Sequence, residues 1–442
     1  MTSRRANGEG SIFPYRNGFA AYVWITTPSG KRQRKYVYGR TREIVHGRWV
    51  ELTRKAARGP VVTKVPAVGQ FLRRWLEDTV APNLAPLTYA TYESHVKNYI
   101  EPGIGALRLD HLRVADVQAW LNRLATQCQC CAQEKDVRRA LRGAARCCAL
   151  GKCCHQVASP RTIKDVRTVL RSALHSAVRQ ELIDRNVAQL VQIPKQRKRK
   201  ILPWTSEEAR RFLESARSDS DPLYAAYVLV LVLGLRKGEV FGLAWDAVNF
   251  EQGTLVPDHQ LQRVRRSLLY RETKTEASDA WLPMPNVVAA ALRIRRTQQD
   301  WEREVAGEIW QQTNDMPSLI FTGRYGTPID PRTLNRKFTA RCEAAGVRPI
   351  TVHDARHTCA TLLVDLEVHP RVIMRILRHA DQAITMEIYM QMPVRRPRAR
   401  RCGDLERPCT EDRCCTLLLY SQLEGSDPES EYVSDQAFYW SG

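Results

Sequence analysis

No stretch of this sequence is long and apolar enough to cross a bilayer. The longest apolar run, Leu223–Leu235, stops at Arg236 and Lys237, short of the roughly twenty residues that a spanning helix needs. It reads instead as a buried core helix. An export signal is missing too, because the opening MTSRRANGEG is polar and holds no apolar segment. The expected location is therefore the cytoplasm, and the 13 cysteines are expected as thiols or metal ligands rather than as a disulfide framework. Negative charge is scarce: Asp and Glu total 47 against 68 Lys and Arg, a formal charge of +21. Such an excess suits a polyanionic partner, since basic side chains on phosphates release counterions, although a solvated basic surface has the same composition. Neither a G-x-x-x-x-G-K-[ST] nucleotide loop nor an H-E-x-x-H metal box occurs.

What is present divides into segments. At 442 residues and 43% apolar content, the chain has room for several hydrophobic cores. Residues 1–58 read as a small basic module. Ser11–Tyr15, Phe19–Thr26 and Gln33–Tyr38 are rich in aromatic and β-branched residues, with Asn17-Gly18 and Ser29-Gly30 as turns, and a helix is expected from about Thr41 to Lys55. Lys31, Arg32, Arg34, Lys35, Tyr36 and Tyr38 mix cations with aromatics, a pattern shared by nucleic-acid-binding faces and ordinary exposed sheets. After a linker over 59–67, residues 66–194 read as a helical domain. Its helices are expected at Val68–Val80, Leu87–Ile100, Val114–Leu124 and Pro160–Leu182, the last with Ser159 as N-cap.

A cysteine-rich insert interrupts that domain over residues 127–157. Cys128 and Cys131 form a C-x2-C pair and Cys148 and Cys153 a C-x4-C pair, with Cys130, Cys147, Cys154 and His155 beside them. Four thiolates at these spacings can hold a tetrahedral zinc in a structural role; a loop with incidental thiols is the alternative. Next, KQRKRK at 195–200 places five basic residues in six between two domains. Residues 200–392 form a further domain, opened by the Thr205-x-x-Glu208 capping box. Helices dominate it, except where Thr254–Val256, Ser267–Leu269 and Trp281–Pro283 suggest a small sheet. From Arg395 the composition changes: RRPRARR leads into a tail without Lys or Arg after Arg413, and residues 395–442 read as an atypical, disordered or foreign segment. The fold class expected is mainly α with small β-sheets, or α+β.

Three local patterns carry chemistry. Gly234-Leu235-Arg236-Lys237-Gly238-Glu239 ends the apolar run. His353-Asp354-Ala355-Arg356-His357 puts His353, Arg356 and His357 on one helical face. Leu377-Arg378-His379-Ala380 precedes Tyr389 by about ten residues. Phosphoryl transfer without a metal needs a nucleophile, cations for the charge that develops on phosphorus, and groups that move protons. Arginine suits the second task, because its planar fork donates two parallel hydrogen bonds and keeps its charge.

GLRKGEVFGLAW, HDARHTCATLL and LRHADQAITMEIY, in this order, resemble three motifs of the tyrosine recombinase (phage integrase) family. The resemblance implies an integrase of a mobile genetic element, a site-specific recombinase that cuts and rejoins DNA. It implies an N-terminal three-stranded arm-binding module, a helical core-binding domain and a mixed catalytic domain. Tyr389 would attack the phosphate and form a 3′-phosphotyrosine. Arg236 and Arg356 would hold the non-bridging oxygens, His353 would assist proton transfer and His379 would donate a hydrogen bond. Lys274 would serve as the general acid, and Glu239 would support the arginines. No cofactor is implied for catalysis and no metal at the reacting phosphate. The implied partners are double-stranded attachment-site DNA, three further copies of the chain in a homotetramer, and accessory DNA-bending or excision proteins; the setting is a bacterial cytoplasm, with no membrane. One departure stands out: Arg378 occupies a position where the family commonly has glycine, so its side chain either turns outward or crowds the site. Competing readings are a catalytically impaired recombinase-derived DNA-binding protein, a type IB topoisomerase-like enzyme and a basic adaptor with a zinc-binding insert.

Overall fold

The computed structural model describes residues 12–61, 65–194, 201–273, 281–311 and 316–378. The basic segment 195–200 and the tail 395–442, both singled out above, lie outside them. The chain divides into two compact units, residues 1–197 and 198–442. Both are mainly helical with small antiparallel sheets. Among the described residues no helix is long and apolar enough to cross a membrane.

The first unit opens with three antiparallel strands, β1 (Phe13–Tyr15), β2 (Gly18–Thr26) and β3 (Arg32–Gly39), followed by helix α1 (Arg42–Arg58). Thr41 caps α1 by accepting a hydrogen bond from the Ile44 amide. The pairing register places Tyr22 opposite Tyr36, Trp24 opposite Arg34 and Thr26 opposite Arg32. Because strand side chains alternate faces, Tyr22, Trp24, Arg32, Arg34, Tyr36 and Tyr38 share one face. The other face carries Ala21, Ile25 and Lys35 and packs under α1, where Val45 and Leu52 are buried. The cation–aromatic run noted in the sequence is thereby sorted: Arg32, Arg34, Tyr36 and Tyr38 share one face, Lys35 lies on the other, and Lys31 precedes the strand.

A helical bundle completes this unit, built from α2 (Val68–Trp75), α3 (Pro86–His95), α4 (Val114–Thr126) and α5 (Pro160–Arg179). A π-helical turn, Leu76–Val80, extends α2, and another, Val96–Ile100, extends α3. Ser159 Oγ accepts from the Thr162 amide at 3.1 Å, and Pro160 follows it in the first turn of α5. Leu72, Ile100, Trp120, Ile163 and Leu170 fill the core. Gly103 is required there, since a Cβ would stand 2.0 Å from Trp120 Nε1.

The second unit holds the larger core. Helix α6 (Ser206–Ser218) begins with a full capping box: the Glu208 amide donates to Thr205 Oγ1 at 3.2 Å, and the Thr205 amide donates to Glu208 Oε2 at 2.9 Å. Helix α7 (Tyr224–Val232) is the apolar run, buried from Ala225 to Leu231. It leads to a short helix, α8 (Lys237–Gly242). Strands β4 (Val248–Asn249) and β5 (Thr254–Leu255) follow, then a hairpin of β6 (His259–Val264) and β7 (Ser267–Glu272), and then β8 (Leu282–Pro283). Helices α9 (Asn286–Ala306), α10 (Arg332–Ala344), α11 (Val352–Asp365) and α12 (Pro370–Leu377) complete the unit.

The strand arrangement corrects one expectation. Two sheets replace the single one: β4-β5-β8, and the separate β6–β7 hairpin. Strand β6, HQLQRV, escaped notice because only Leu261 is buried and the remainder is polar. Gly242 lets the hairpin lie close to α8, since a Cβ there would stand 2.6 Å from Gln260 Cα. The core is anchored by packed rings: Phe212 and Phe338, tilted to each other, have centroids 4.7 Å apart, and Trp204 stacks on Phe338 at 5.6 Å.

Candidate active site

Residues from three separated segments meet at one end of α7. The chain leaves α7 through Gly234, whose φ of +59° lies in the left-handed region that favours glycine. A Cβ there would also stand 2.5 Å from Leu377 Cδ2. Gly234 thus allows α12 to approach and leaves its own carbonyl free to face inward.

Arg356, on α11, reaches that carbonyl. Its side chain is 5% exposed, with Nη1 donating to the Gly234 carbonyl and Nη2 to the Leu377 carbonyl. The guanidinium is therefore fixed by two backbone acceptors from different segments. Arg236 is the N-cap of α8, and Glu239 reaches back to it: Arg236 Nη1 donates to Glu239 Oε1 at 2.7 Å, and the Arg236 amide donates to Oε2 at 2.8 Å. Glu239 is 2% exposed, whereas the Arg236 side chain remains half-exposed. The carboxylate anchors the arginine while leaving part of it open.

Arg378 turns inward. It follows α12 at φ 50° and ψ 51°, and a side chain costs about 1 kcal/mol in that left-handed conformation, which explains why glycine suits the position. The side chain is buried, with Nη2 donating to Glu239 Oε2 at 2.5 Å. Among the described residues its Nε and Nη1 have no partner. Of the two orientations left open by the sequence, the outward one is thus excluded. The available signal was positional, a residue directly after an amphipathic helix where a C-terminal glycine is common.

Two guanidinium groups, Arg236 and Arg378, thus bind one carboxylate, and the third, Arg356, feels the charges of all three. Burial raises the pKa of Glu239, but Arg378 and then Arg236 outweigh it and hold the group below its ordinary range. Arg356 is pushed down to about 10, first by burial and then by repulsion from Arg236. Burial likewise lowers Arg378, with Glu239 opposing. The cluster holds positive charge that its own carboxylate does not balance, and an anion placed against these groups would relieve the repulsion.

His353 lies one helical turn before Arg356 and is exposed; its ring meets that of His357 edge-on, with centroids 5.1 Å apart. Thr351 caps α11 and Asp354 reciprocates, which fixes the turn that carries His353. Of the six residues expected to do the chemistry, Arg236, His353 and Arg356 fall within the described region, and the two arginines converge. Lys274, His379 and Tyr389 lie outside it. In the first unit, Cys128, Cys131, Cys148 and Cys153 come together, and so do Cys130, Cys147, Cys148 and Cys154. His155 is in neither group.

Comparison with known proteins agrees with this architecture. The profile of the phage integrase family matches residues 204–395, and that of the phage integrase N-terminal SAM-like domain matches residues 67–125. An integrase of Streptomyces ambofaciens is 27% identical over 408 residues, covering 88% of this chain and 94% of the relative. A XerC-like tyrosine recombinase of Caldanaerobacter subterraneus is 25% identical over 379 residues, covering 82% of this chain and 88% of the relative. In fold, the chain is similar to an integrase of the Tn1549 transposon solved in complex with transposon right end DNA. The TM-score is 0.57 at 19% identity, over 73% of this chain and 94% of the other. The two family profiles together match more than half of the residues, and the chain belongs to the phage integrase family of tyrosine recombinases.

Proposed function

We propose that this protein is the integrase of a mobile genetic element and that it cuts and rejoins attachment-site DNA through Tyr389. The observation that carries this reading is the convergence of Arg236 and Arg356, from segments 120 residues apart, on one cluster whose positive charge Glu239 offsets only in part. A phosphodiester is the anion that such a pair of forks fits.

The Tyr389 oxygen attacks phosphorus and the bond to the 5′-oxygen breaks. The phenolic proton passes to His353, and the departing oxygen takes a proton from Lys274. Arg236, Arg356 and His379 stabilise the extra charge on the non-bridging oxygens. One phosphodiester becomes another, a 3′-phosphotyrosine, so the reverse attack by a 5′-hydroxyl rejoins the strand without a nucleotide. The guanidinium groups supply the cationic charge that other phosphoryl-transfer sites draw from metal ions, so the chemistry uses no cofactor. The β2–β3 face, where Arg34 stacks over Tyr22 and Trp24 at 4.9 and 4.8 Å, offers aromatic planes and cations to a second stretch of DNA. Four copies would act together on paired sites.

The test is a nicked suicide duplex bearing the junction sequences of the element, analysed on denaturing gels. The native protein should form a covalent adduct, and Tyr389→Phe should bind the duplex without forming it. An adduct that persists in Tyr389→Phe would overturn the assignment of the nucleophile. A second reading, a DNA-binding protein with impaired chemistry, is favoured by the inward Arg378. It predicts no adduct from the native protein and recovery of one in Arg378→Gly.

A further inference from the structure

The cysteine-rich insert has no apolar core. Among residues 127–157 the buried side chains are Gln129, Cys130, Gln133 and Asp136, while Val137, Leu141, Leu150 and Val157 are exposed. Ordering about thirty residues costs backbone entropy that burial of aliphatic surface normally offsets. Here something else must hold the segment in its conformation.

The sulfur geometry identifies it. Cys131 and Cys153 sulfurs are 3.8 Å apart, Cys128 and Cys148 4.0 Å, Cys130 and Cys147 3.8 Å, and Cys148 and Cys154 3.7 Å. A disulfide would need about 2.05 Å. Four sulfurs at about 2.3 Å from a central zinc stand about 3.8 Å from one another. The two groups of four share one member, Cys148, and together contain seven cysteines. Two tetrahedra that share a corner require seven ligands. Cys128 also lies 3.7 Å from Cys154, which brings the two groups into sulfur–sulfur contact around that corner.

The backbone is built to present these sulfurs. Asp136 is fully buried and accepts hydrogen bonds from the amides of Arg146 at 3.1 Å, Cys147 at 2.8 Å and Ala149 at 3.1 Å, which shapes the turn carrying Cys147 and Cys148. Gly151 closes that turn at φ +75°. The His155 amide points at the Cys153 sulfur at 3.5 Å, and the amides of Cys131 and Cys130 hydrogen-bond the Cys128 sulfur. Lys135, Arg138, Arg139, Arg142, Arg146 and Lys152 stand in the same segment, where they offset the negative charge of a thiolate-rich centre.

We infer that the insert is built round two zinc ions held by seven thiolates, with Cys148 bridging them. Cys128, Cys131 and Cys153 complete one tetrahedron, and Cys130, Cys147 and Cys154 complete the other. Each metal has four sulfurs and no open position, so the centre is structural and takes no part in the phosphoryl chemistry. It replaces the missing core and fixes the connection between α4 and α5, which the Gln129 amide to Gln156 carbonyl bond (2.7 Å) and the Ala158 amide to Leu124 carbonyl bond (3.0 Å) also close.

The test uses the full-length protein, purified under reducing conditions, with metal content measured by plasma mass spectrometry. Two zinc ions per chain are expected. Replacement with cadmium-113 should give two magnetic resonances in the all-thiolate range, coupled to each other through the shared sulfur. Cys148→Ser should lose both metals, Cys153→Ser one, and Cys342→Ser, in the second unit, none. A single metal in the native protein, or two uncoupled resonances, would overturn the shared arrangement. Metal-free protein with the insert cysteines paired as disulfides would overturn the metal centre altogether. These readouts need no DNA, and the wild-type count and coupling decide the matter even if a variant misfolds.

Discussion

The cation cluster and the cysteine insert both assemble polar residues from separated positions, but the source of their rigidity differs. The cluster comprises Arg236, Glu239, Arg356 and Arg378, and it rests on α7, α11 and α12, which are packed into aliphatic and aromatic cores. Charges are costly to bury there, and they stay because Glu239 and two backbone carbonyls compensate part of them. The insert has no such support, and its order depends on its own polar groups and sulfur atoms. A hydrophobic core can therefore hold a charge imbalance in place, whereas in the insert the proposed thiolate-bound metals would take over the role of a core.

The contrast can be broken at its foundations. Phe338→Ala removes the ring that meets Trp204, Phe212 and Tyr227, and it should lower the stability of the second unit by about 3–5 kcal/mol in urea titrations. Added chelator should not deepen that loss; if it does, the two regions are not independently supported. A smaller effect is expected at the chemistry itself. Arg356→Ala should slow cleavage of the suicide duplex by about a hundred- to a thousandfold, with DNA affinity changed only a few-fold. Equal losses in affinity and rate would show a general contact rather than a clamp on the transferring phosphate.

The smallest expected effect concerns pH. Glu239 is held below its ordinary value of 4.5 in the folded protein, so the native state binds fewer protons than the unfolded one near that pH. The stability it contributes is present above about pH 4.5 and is lost as the pH falls through its folded value. The second unit should melt a few degrees lower on acidification through this window, and Glu239→Gln should flatten that part of the profile. An unchanged slope in the variant would mean that other carboxylates govern acid unfolding.

Much of this was legible along the chain. The α1 cap at Thr41, the Ser159 and Thr205 caps and the apolar α7 are local in origin, set by side-chain oxygens and by the period of apolar residues. The first strands were readable for the same reason, although their facing was not stated until the register fixed it. The β6 strand was illegible, because one buried residue in six gives no alternation to detect. Arg378 was visible as a departure, but its direction depended on Glu239, 139 positions earlier.

The sequence alone determined which residue types were available: the three motifs in order, the surplus of cations and the seven clustered cysteines. Local propensities and spacing suffice for that, since capping, periodicity and short ligand spacings act within a few residues. Only the tertiary structure decided that Arg356 would be buried against the Gly234 and Leu377 carbonyls, that Arg378 would turn inward, and that Cys148 would belong to both sulfur groups. Those outcomes depend on which segments the packed cores and turns bring within hydrogen-bonding or ligand distance, a long-range property that no local pattern encodes.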